Sequence, residues 1–200
     1  MNLIPRVKNI SLTPRSEWEV IGPETTTLGE MYTRYIIPLA AIGPAASFIG
    51  MSVFGLSLPF AGAYRVPLST NLSMQLTNYV VALVTVYLIA LLIDGLAPSF
   101  GGQRNRIQAL KLAAYAYTPA WVAGILLLVP SLGGLAVLAG LYSLYVFYLG
   151  VMPMMKVPED KAVGFTAATV VCALVLGFVG GAVTGAIFGA SMLTGSAALP

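Results

Sequence analysis

The chain has 200 residues, of which 58% are hydrophobic and only 8% charged, and its mean hydropathy is +0.89. A soluble domain carries about 25% charged residues, so the composition excludes a soluble globular protein and predicts an integral membrane protein. With one cysteine and no histidine, an internal disulfide, a zinc or haem site and histidine-based catalysis are excluded. No cofactor and no metal are therefore expected.

The first 34 residues are too polar to span a membrane and form a predicted cytoplasmic arm. Thr13 and Pro14 are typical of a helix N-cap and first helical position. Trp18 and Ile21 then fall on one face of the following segment. We therefore predict a short amphipathic helix that lies on the membrane surface, with the indole of Trp18 at the interface. A solvated cap without membrane contact is the alternative.

Five apolar stretches follow, each long enough to cross the hydrocarbon core, which takes about 20 helical residues. They run over residues 35–54, 72–97, 109–129, 132–152 and 163–192, within a transmembrane domain at 35–192, and leave an outer tail at 193–200. Pro130 predicts a tight turn between the third and fourth spans, and Pro119 predicts a kink within the third. The predicted fold is an all-α integral membrane protein with five transmembrane helices.

Lysine and arginine are distributed very unevenly between the predicted loops. Nine of the ten fall on the side of the N-terminus, and only Arg65 falls on the other side. Short loops that face the cytoplasm carry such an excess, so we predict a cytoplasmic N-terminus and an outer C-terminus. The basic charge is then a signal of topology, and nucleic acid is not an expected partner.

Two predicted cytoplasmic loops carry the candidate interaction surface. Its residues are Asp94, Gly101, Gly102, Arg104, Arg106, Lys111, Lys156 and Lys161. The cations are expected near anionic lipid headgroups. Because Asp94 lies at the end of the second span, an interfacial carboxylate paired with a neighbouring cation is the favoured interpretation, and a proton or ion relay is the alternative.

Aromatic residues cluster toward the predicted cytoplasmic side of the third and fourth spans. They are Tyr115, Tyr117, Trp121, Tyr142, Tyr145 and Tyr148. An aromatic belt at the level of the headgroups is one interpretation. A pocket between the spans that takes a lipid or a small molecule is the other.

Glycine recurs at every fourth position of the fifth span. The row consists of Gly177, Gly181, Gly185 and Gly189. Glycines at this spacing form one groove along a helix, which lets a second helix approach closely in lipid. We therefore predict tight helix packing along this row, either within the bundle or in a homo-oligomer.

Several stretches of the chain match a known membrane-protein family. They are the Gly101-Gly102 pair, AYAYTPAW with Tyr115 and Pro119, Pro130, LYSLYVFYLG, MKVPEDKA and the N-terminal LTPRSEWEVI. In these stretches the chain resembles the Yip (Ypt/Rab-interacting protein) family, especially its short bacterial members. The resemblance implies five spans with a cytoplasmic N-terminus, and in eukaryotic relatives it implies links to Rab GTPases and vesicle traffic. It supplies no catalytic residues.

These observations predict a non-enzymatic membrane protein that binds protein partners or organises the bilayer through its cytoplasmic face. The alternative is a small transporter or channel for an ion, a proton or a small solute, with Asp94, Asn78, Gln75 and the tyrosines along its path. The expected location is a bacterial inner membrane, and a Golgi or ER membrane is the alternative for a eukaryotic source.

Overall fold

The structure, a computed structural model, describes residues 2–58, 62–64 and 66–196, and the side chains at 56–58, 62–64 and 189–196 are outside this description. Arg65 and residues 197–200 of the predicted tail also lie outside it. Five helical segments are long and apolar enough to cross a membrane, and we number them spans 1 to 5: Leu28–Val53, Leu68–Phe100, Arg106–Leu128, Pro130–Met155 and Glu159–Phe188. The prediction of an all-α membrane protein with five spans is confirmed.

Shorter helices and turns build the arm and the spans. The α-helices are α1 (Leu3–Leu12), α2 (Pro14–Ile21), α3 (Leu28–Met31), α4 (Ile37–Ala40), α5 (Ile42–Val53), α6 (Leu68–Leu96), α7 (Arg106–Ala116), α8 (Thr118–Ala123), α9 (Ala136–Met155) and α10 (Glu159–Ser196). A π-helical turn covers Tyr32–Ile36, and 3-10 turns cover Ala97–Phe100, Gly124–Leu128 and Pro130–Leu135. The strands β1 (Leu56–Leu58) and β2 (Gly62–Tyr64) form a short antiparallel hairpin between α5 and α6. Most spans begin or end several residues beyond the predicted bounds, because hydropathy marks the apolar stretch and not the polar turns that continue the helix.

Prolines shape the interior of spans 1 and 3. Pro38 has no N–H to donate to the carbonyl of Arg34, four residues earlier, and the chain forms the π-helical turn there, with the Ile37 N–H donating to the Tyr32 carbonyl. Pro119 lies in the first turn of α8, directly after a break at Tyr117. The α-helix of span 3 is therefore interrupted two residues before Pro119, close to where the kink is predicted.

The spans alternate in direction, which gathers the loops at two ends of the bundle. At one end the Gln103 N–H donates to the Met155 carbonyl at 2.8 Å, which joins the loop after span 2 to the end of span 4. The arm lies at this same end, where Gln108 Nε2 donates to the Gly22 carbonyl. At the other end, α5 packs closely against the Gly124–Leu128 turn, since Gly50 has no room for a Cβ beside the Leu128 carbonyl.

Span 5 packs against span 2 through a face other than the predicted one. A Cβ at Gly177, Gly181 or Gly185 would meet no atom within 4 Å among the described residues. A Cβ at Gly180 would lie 2.9 Å from Val81 Cγ1, and the Thr184 hydroxyl donates to Asn78 Oδ1 at 3.0 Å. The prediction that the glycine row packs the bundle is thus wrong for these three positions, because spacing identifies a smooth face but not what covers it. Packing of the row in a homo-oligomer stays a prediction, and the surroundings of Gly189 are outside the described part.

Polar side chains of span 2 hold neighbouring helices. Asn71 Nδ2 donates to the Phe48 carbonyl at 3.1 Å and to Ser52 Oγ at 3.0 Å, and Gln75 Nε2 donates to Asn71 Oδ1 at 3.3 Å. Hydrogen bonds of this kind join helices in lipid. Asn71 therefore attaches span 2 to α5, and Gln75 does so through Met51 Sδ, to which its Nε2 donates at 3.7 Å.

Candidate functional site

The arm is folded into the helical bundle. The side chain of Trp18 is 1% exposed, its Nε1 donates to the Val146 carbonyl at 3.0 Å, and its ring contacts the edge of Tyr115 at a centroid distance of 6.2 Å. A Cβ at Gly150 would lie 2.6 Å from Trp18 Cε2, so this glycine provides the space for the indole. Trp18 and Ile21 do share a face, but the prediction that Trp18 lies at the lipid interface is wrong, because that face packs against protein.

A buried ion-pair network fixes the arm. Arg6 donates from Nη1 to Glu17 Oε1 at 2.5 Å and from Nη2 to Glu24 Oε1, and its guanidinium lies 5.7 Å from the centre of the Tyr115 ring. Burial lowers the pKa of Arg6, but the hydrogen bond to Glu24 and the charges of both carboxylates outweigh it, so the pKa lies above its ordinary value. Arg6 is therefore charged at every physiological pH.

Lys111 does not belong to the exposed surface on which it was predicted. Its side chain is 1% exposed, and its Nζ donates to the Ile21 carbonyl at 3.1 Å and to the Glu24 carbonyl. These carbonyls lie at and beyond the C-terminus of α2, where a cation is favourable because the helix dipole is negative there. Lys111 is thus an anchor for the arm.

A polar cavity of about 440 Å³ opens where the arm meets span 1. Its walls come from the loop after α2, from the first two turns of span 1 and from span 3: Pro23, Glu24, Thr25, Thr26, Glu30, Arg34 and Tyr115. Sequence reasoning named only Tyr115 among them. Thr27 and Glu30 form a capping box, and the Thr-x-x-Glu spacing is the signal that could have placed the start of span 1 here.

The predicted aromatic cluster is divided between different surroundings. Tyr115 lines the polar cavity, whereas Tyr117 lines an apolar crevice of about 450 Å³ between spans 2, 3, 4 and 5. The Tyr142 hydroxyl donates to the Ser11 carbonyl and so holds the arm. The remaining members lie nearby: Trp121 stacks on Tyr117, Tyr145 is an exposed neighbour of Tyr142, and Tyr148 is half-buried. Tyr115 and Tyr117 therefore line two different cavities.

The glycine pair of the candidate surface is structural. Gly101 has a φ of 76°, in the left-handed region, and the Gly102 N–H donates to the Ala97 carbonyl at 2.8 Å. A Cβ at Gly102 would lie 2.8 Å from the Met155 carbonyl oxygen and 2.7 Å from Val157 Cγ2. The glycine pair therefore allows the loop after span 2 to contact the end of span 4 and the loop that follows it.

Four exposed cations lie in the loops after spans 2 and 4 and in the first turns of the helices that follow these loops. They are Arg104, Arg106, Lys156 and Lys161, and we call this surface the loop platform. Of the neighbouring cations with which Asp94 is predicted to pair, the structure places Arg106 beside it, at 3.9 Å between Asp94 Oδ2 and Arg106 Nε, with the Asp94 side chain 13% and the Arg106 side chain 79% exposed. The other oxygen, Asp94 Oδ1, is buried without a hydrogen-bond partner among the described residues.

Comparison with known proteins agrees with this architecture. Residues 8–192 match the Yip1 domain. The chain is 26% identical over 160 residues to the protein named "Inner membrane protein YohC" in two Escherichia coli strains, K12 and O6:H1, with 78% of this chain and 82% of the relative covered. No solved structure matches the chain.

Proposed function

The chain is a membrane protein of the Yip1 domain family, and we propose that it acts without catalysis, by binding a protein partner through the loop platform. The platform faces the cytoplasm in the orientation that the lysine and arginine distribution predicts. The E. coli relative carries the name of an inner membrane protein, and we extend that location to this chain.

The observation that carries the proposal is the fixed geometry of the platform. The hydrogen bond from Gln103 to Met155 joins the loop after span 2 to the end of span 4, and the one from Gly102 to Ala97 fixes the turn after span 2. The backbone positions that carry the cations are therefore held relative to one another. Exposed Glu159 and Asp160 lie beside Lys156 and Lys161. A rigid surface of mixed charge suits a protein with the complementary pattern better than a uniformly anionic bilayer, because charge pattern determines specificity.

Charge reversal on the platform is the test. In native membranes, a tagged full chain is cross-linked, purified and analysed for the proteins that come with it. Like charges placed opposite each other across a protein interface cost several kcal/mol, so Arg104→Glu with Lys156→Glu is expected to lower partner recovery by at least about ten-fold. Arg106 is left unchanged because it pairs with Asp94.

The matched control is Lys8→Glu with Arg15→Glu, which reverses two exposed arm cations away from the platform. We expect this control to recover the partner at the wild-type level. Equal loss in both double variants, or no loss in either, contradicts a role for the platform.

A transporter or channel is the second candidate, and Asp94 Oδ1 favours it. A buried carboxylate oxygen without a partner is a feature of ion and proton pathways. Against it, Gln75 and Asn78, which were predicted along the path, are engaged in helix packing. Proteoliposomes in a pH or ion gradient test this candidate: flux that Asp94→Asn abolishes supports it, and the absence of flux in the wild type contradicts it.

A further inference from the structure

The polar cavity between the arm and span 1 is separate from the loop platform and has its own chemistry. Its volume of about 440 Å³ lies within the range of small-ligand sites. Span 1 begins at Leu28, so Glu30 and Arg34 lie in its first two turns. These two residues therefore lie at the level expected for lipid headgroups.

The walls of the cavity retain unused hydrogen-bonding capacity. Glu30 Oε2 accepts hydrogen bonds from the Thr27 N–H and hydroxyl and from the Thr26 hydroxyl, which leaves its second oxygen, Oε1, available. Within the described part of the chain, Arg34 donates to no carboxylate or carbonyl. The cavity thus offers an acceptor and a charged donor four residues apart on one helix.

The charges in and around the cavity cancel. Glu24, Glu30 and Arg34 line it, and Arg6, Glu17 and Lys111 contact Glu24 or Arg6 directly behind it. The three carboxylates of this group are balanced in charge by its three cations. A bare ion would add one uncompensated charge to this balanced set, whereas a zwitterion would keep the balance.

The backbone of span 1 is altered where Arg34 lies. The π-helical turn Tyr32–Ile36 contains Arg34, and it follows from the missing N–H of Pro38. Such turns are rare and occur frequently at functional sites. The turn therefore sets the position of Arg34 along span 1, and it is the cavity and its charges that point to a ligand.

We propose that this cavity binds the headgroup of a zwitterionic, ammonium-bearing phospholipid. The guanidinium of Arg34 holds the phosphate, for which its planar set of donors is suited. The carboxylates of Glu30 and Glu24 accept hydrogen bonds from the ammonium group. The acyl chains remain in the bilayer beside span 1, and the ion pairs of the arm keep the pocket closed from behind.

Lipid retention by the purified full chain tests the proposal. The protein in detergent is incubated with phosphatidylethanolamine and phosphatidylglycerol of identical acyl chains, and bound lipid is counted by native mass spectrometry. We expect wild type to prefer phosphatidylethanolamine. Loss of one charged hydrogen bond in Arg34→Gln or Glu30→Gln is expected to lower this binding about ten-fold.

The variants are chosen to preserve the fold. Glutamine also serves in a capping box, so Glu30→Gln keeps the start of span 1, and an unchanged melting temperature verifies this. Arg15→Gln and Glu19→Gln remove one exposed charge of each sign from α2 outside the cavity walls and are expected to bind lipid as wild type does. Soluble glycerophosphoethanolamine, the zwitterionic phosphodiester headgroup without acyl chains, is added as a competitor. Displacement at millimolar concentration assigns recognition to the headgroup alone, and displacement only by intact phosphatidylethanolamine identifies the membrane lipid as the ligand.

Three results overturn the proposal. They are equal binding of the two lipids by wild type, preference for phosphatidylglycerol, and equal losses in the cavity and control variants. None of these depends on partner recovery at the loop platform, since Arg34 and Glu30 lie outside it.

Discussion

The position of Trp18 depends on one glycine. Its indole fills the space beside Gly150 and donates to the carbonyl of Val146, while Lys111 holds the end of α2 from the other side. A buried tryptophan with a satisfied N–H contributes a large apolar surface to a core. At the scale of single residues, the arm therefore packs against the bundle in this way only if residue 150 is glycine and residue 18 is tryptophan.

Gly150→Ala is expected to destabilise the protein by about 1–3 kcal/mol through overpacking against Trp18 and Leu112. The physical reason is steric, because the new Cβ would lie 2.6 Å from Leu112 Cδ1. The matched change in the same helix is Gly140→Ala, where the Cβ meets nothing within 4 Å, and the loss of backbone freedom in the unfolded chain is expected to stabilise by about 0.5–1 kcal/mol. Thermal melting in detergent measures both, and the same sign of shift in the two variants would contradict this account.

At the scale of elements, α10 has two faces lined by small residues, and among the described residues only one of these faces contacts the rest of the chain. Gly180 and Thr184 contact span 2, whereas Gly177, Gly181 and Gly185 are open. In lipid, an open face and a packed face are equally apolar, so hydropathy does not separate them. The open row is what a second copy of the chain could cover.

Adjacent glycines of α10 allow a direct comparison. Gly180→Leu is expected to lower the melting temperature, at a cost of about 1–3 kcal/mol, because the side chain would collide with Val81. Gly181→Leu is expected to leave the melting temperature of the monomer unchanged and to reduce the oligomer mass in detergent if the row packs between copies. Light scattering corrected for detergent gives the mass, and a destabilised Gly181→Leu monomer would refute an open face.

At the scale of the whole molecule, the alternating spans bring the arm, the polar cavity and the loop platform to one end of the bundle. The Gln108 side chain and Lys111 hold the arm at that end, and the Gln103–Met155 hydrogen bond holds the loops. Two surfaces of different chemistry result: a charge-balanced cavity and an exposed platform of mixed charge. Their separation is why loss of lipid binding and loss of partner binding are expected from different variants.

The amino-acid sequence by itself determined the five spans, the helix break close to Pro119, the turn at Pro130 and the family. These follow from local properties, since the length of an apolar stretch and the missing N–H of proline act within one segment. The pairing of Asp94 with a nearby cation was also predictable, because Arg106 follows in the next loop.

Only the tertiary structure decided how distant segments meet. Lys111 is buried because the carbonyls of Ile21 and Glu24 lie opposite it, and no pattern around Lys111 reveals that. The cavity likewise needs the loop after α2, span 1 and Tyr115 of span 3 together. The physical reason is that a polar group in an apolar chain is stabilised by whichever partner the fold brings to it, and that partner is usually remote in sequence.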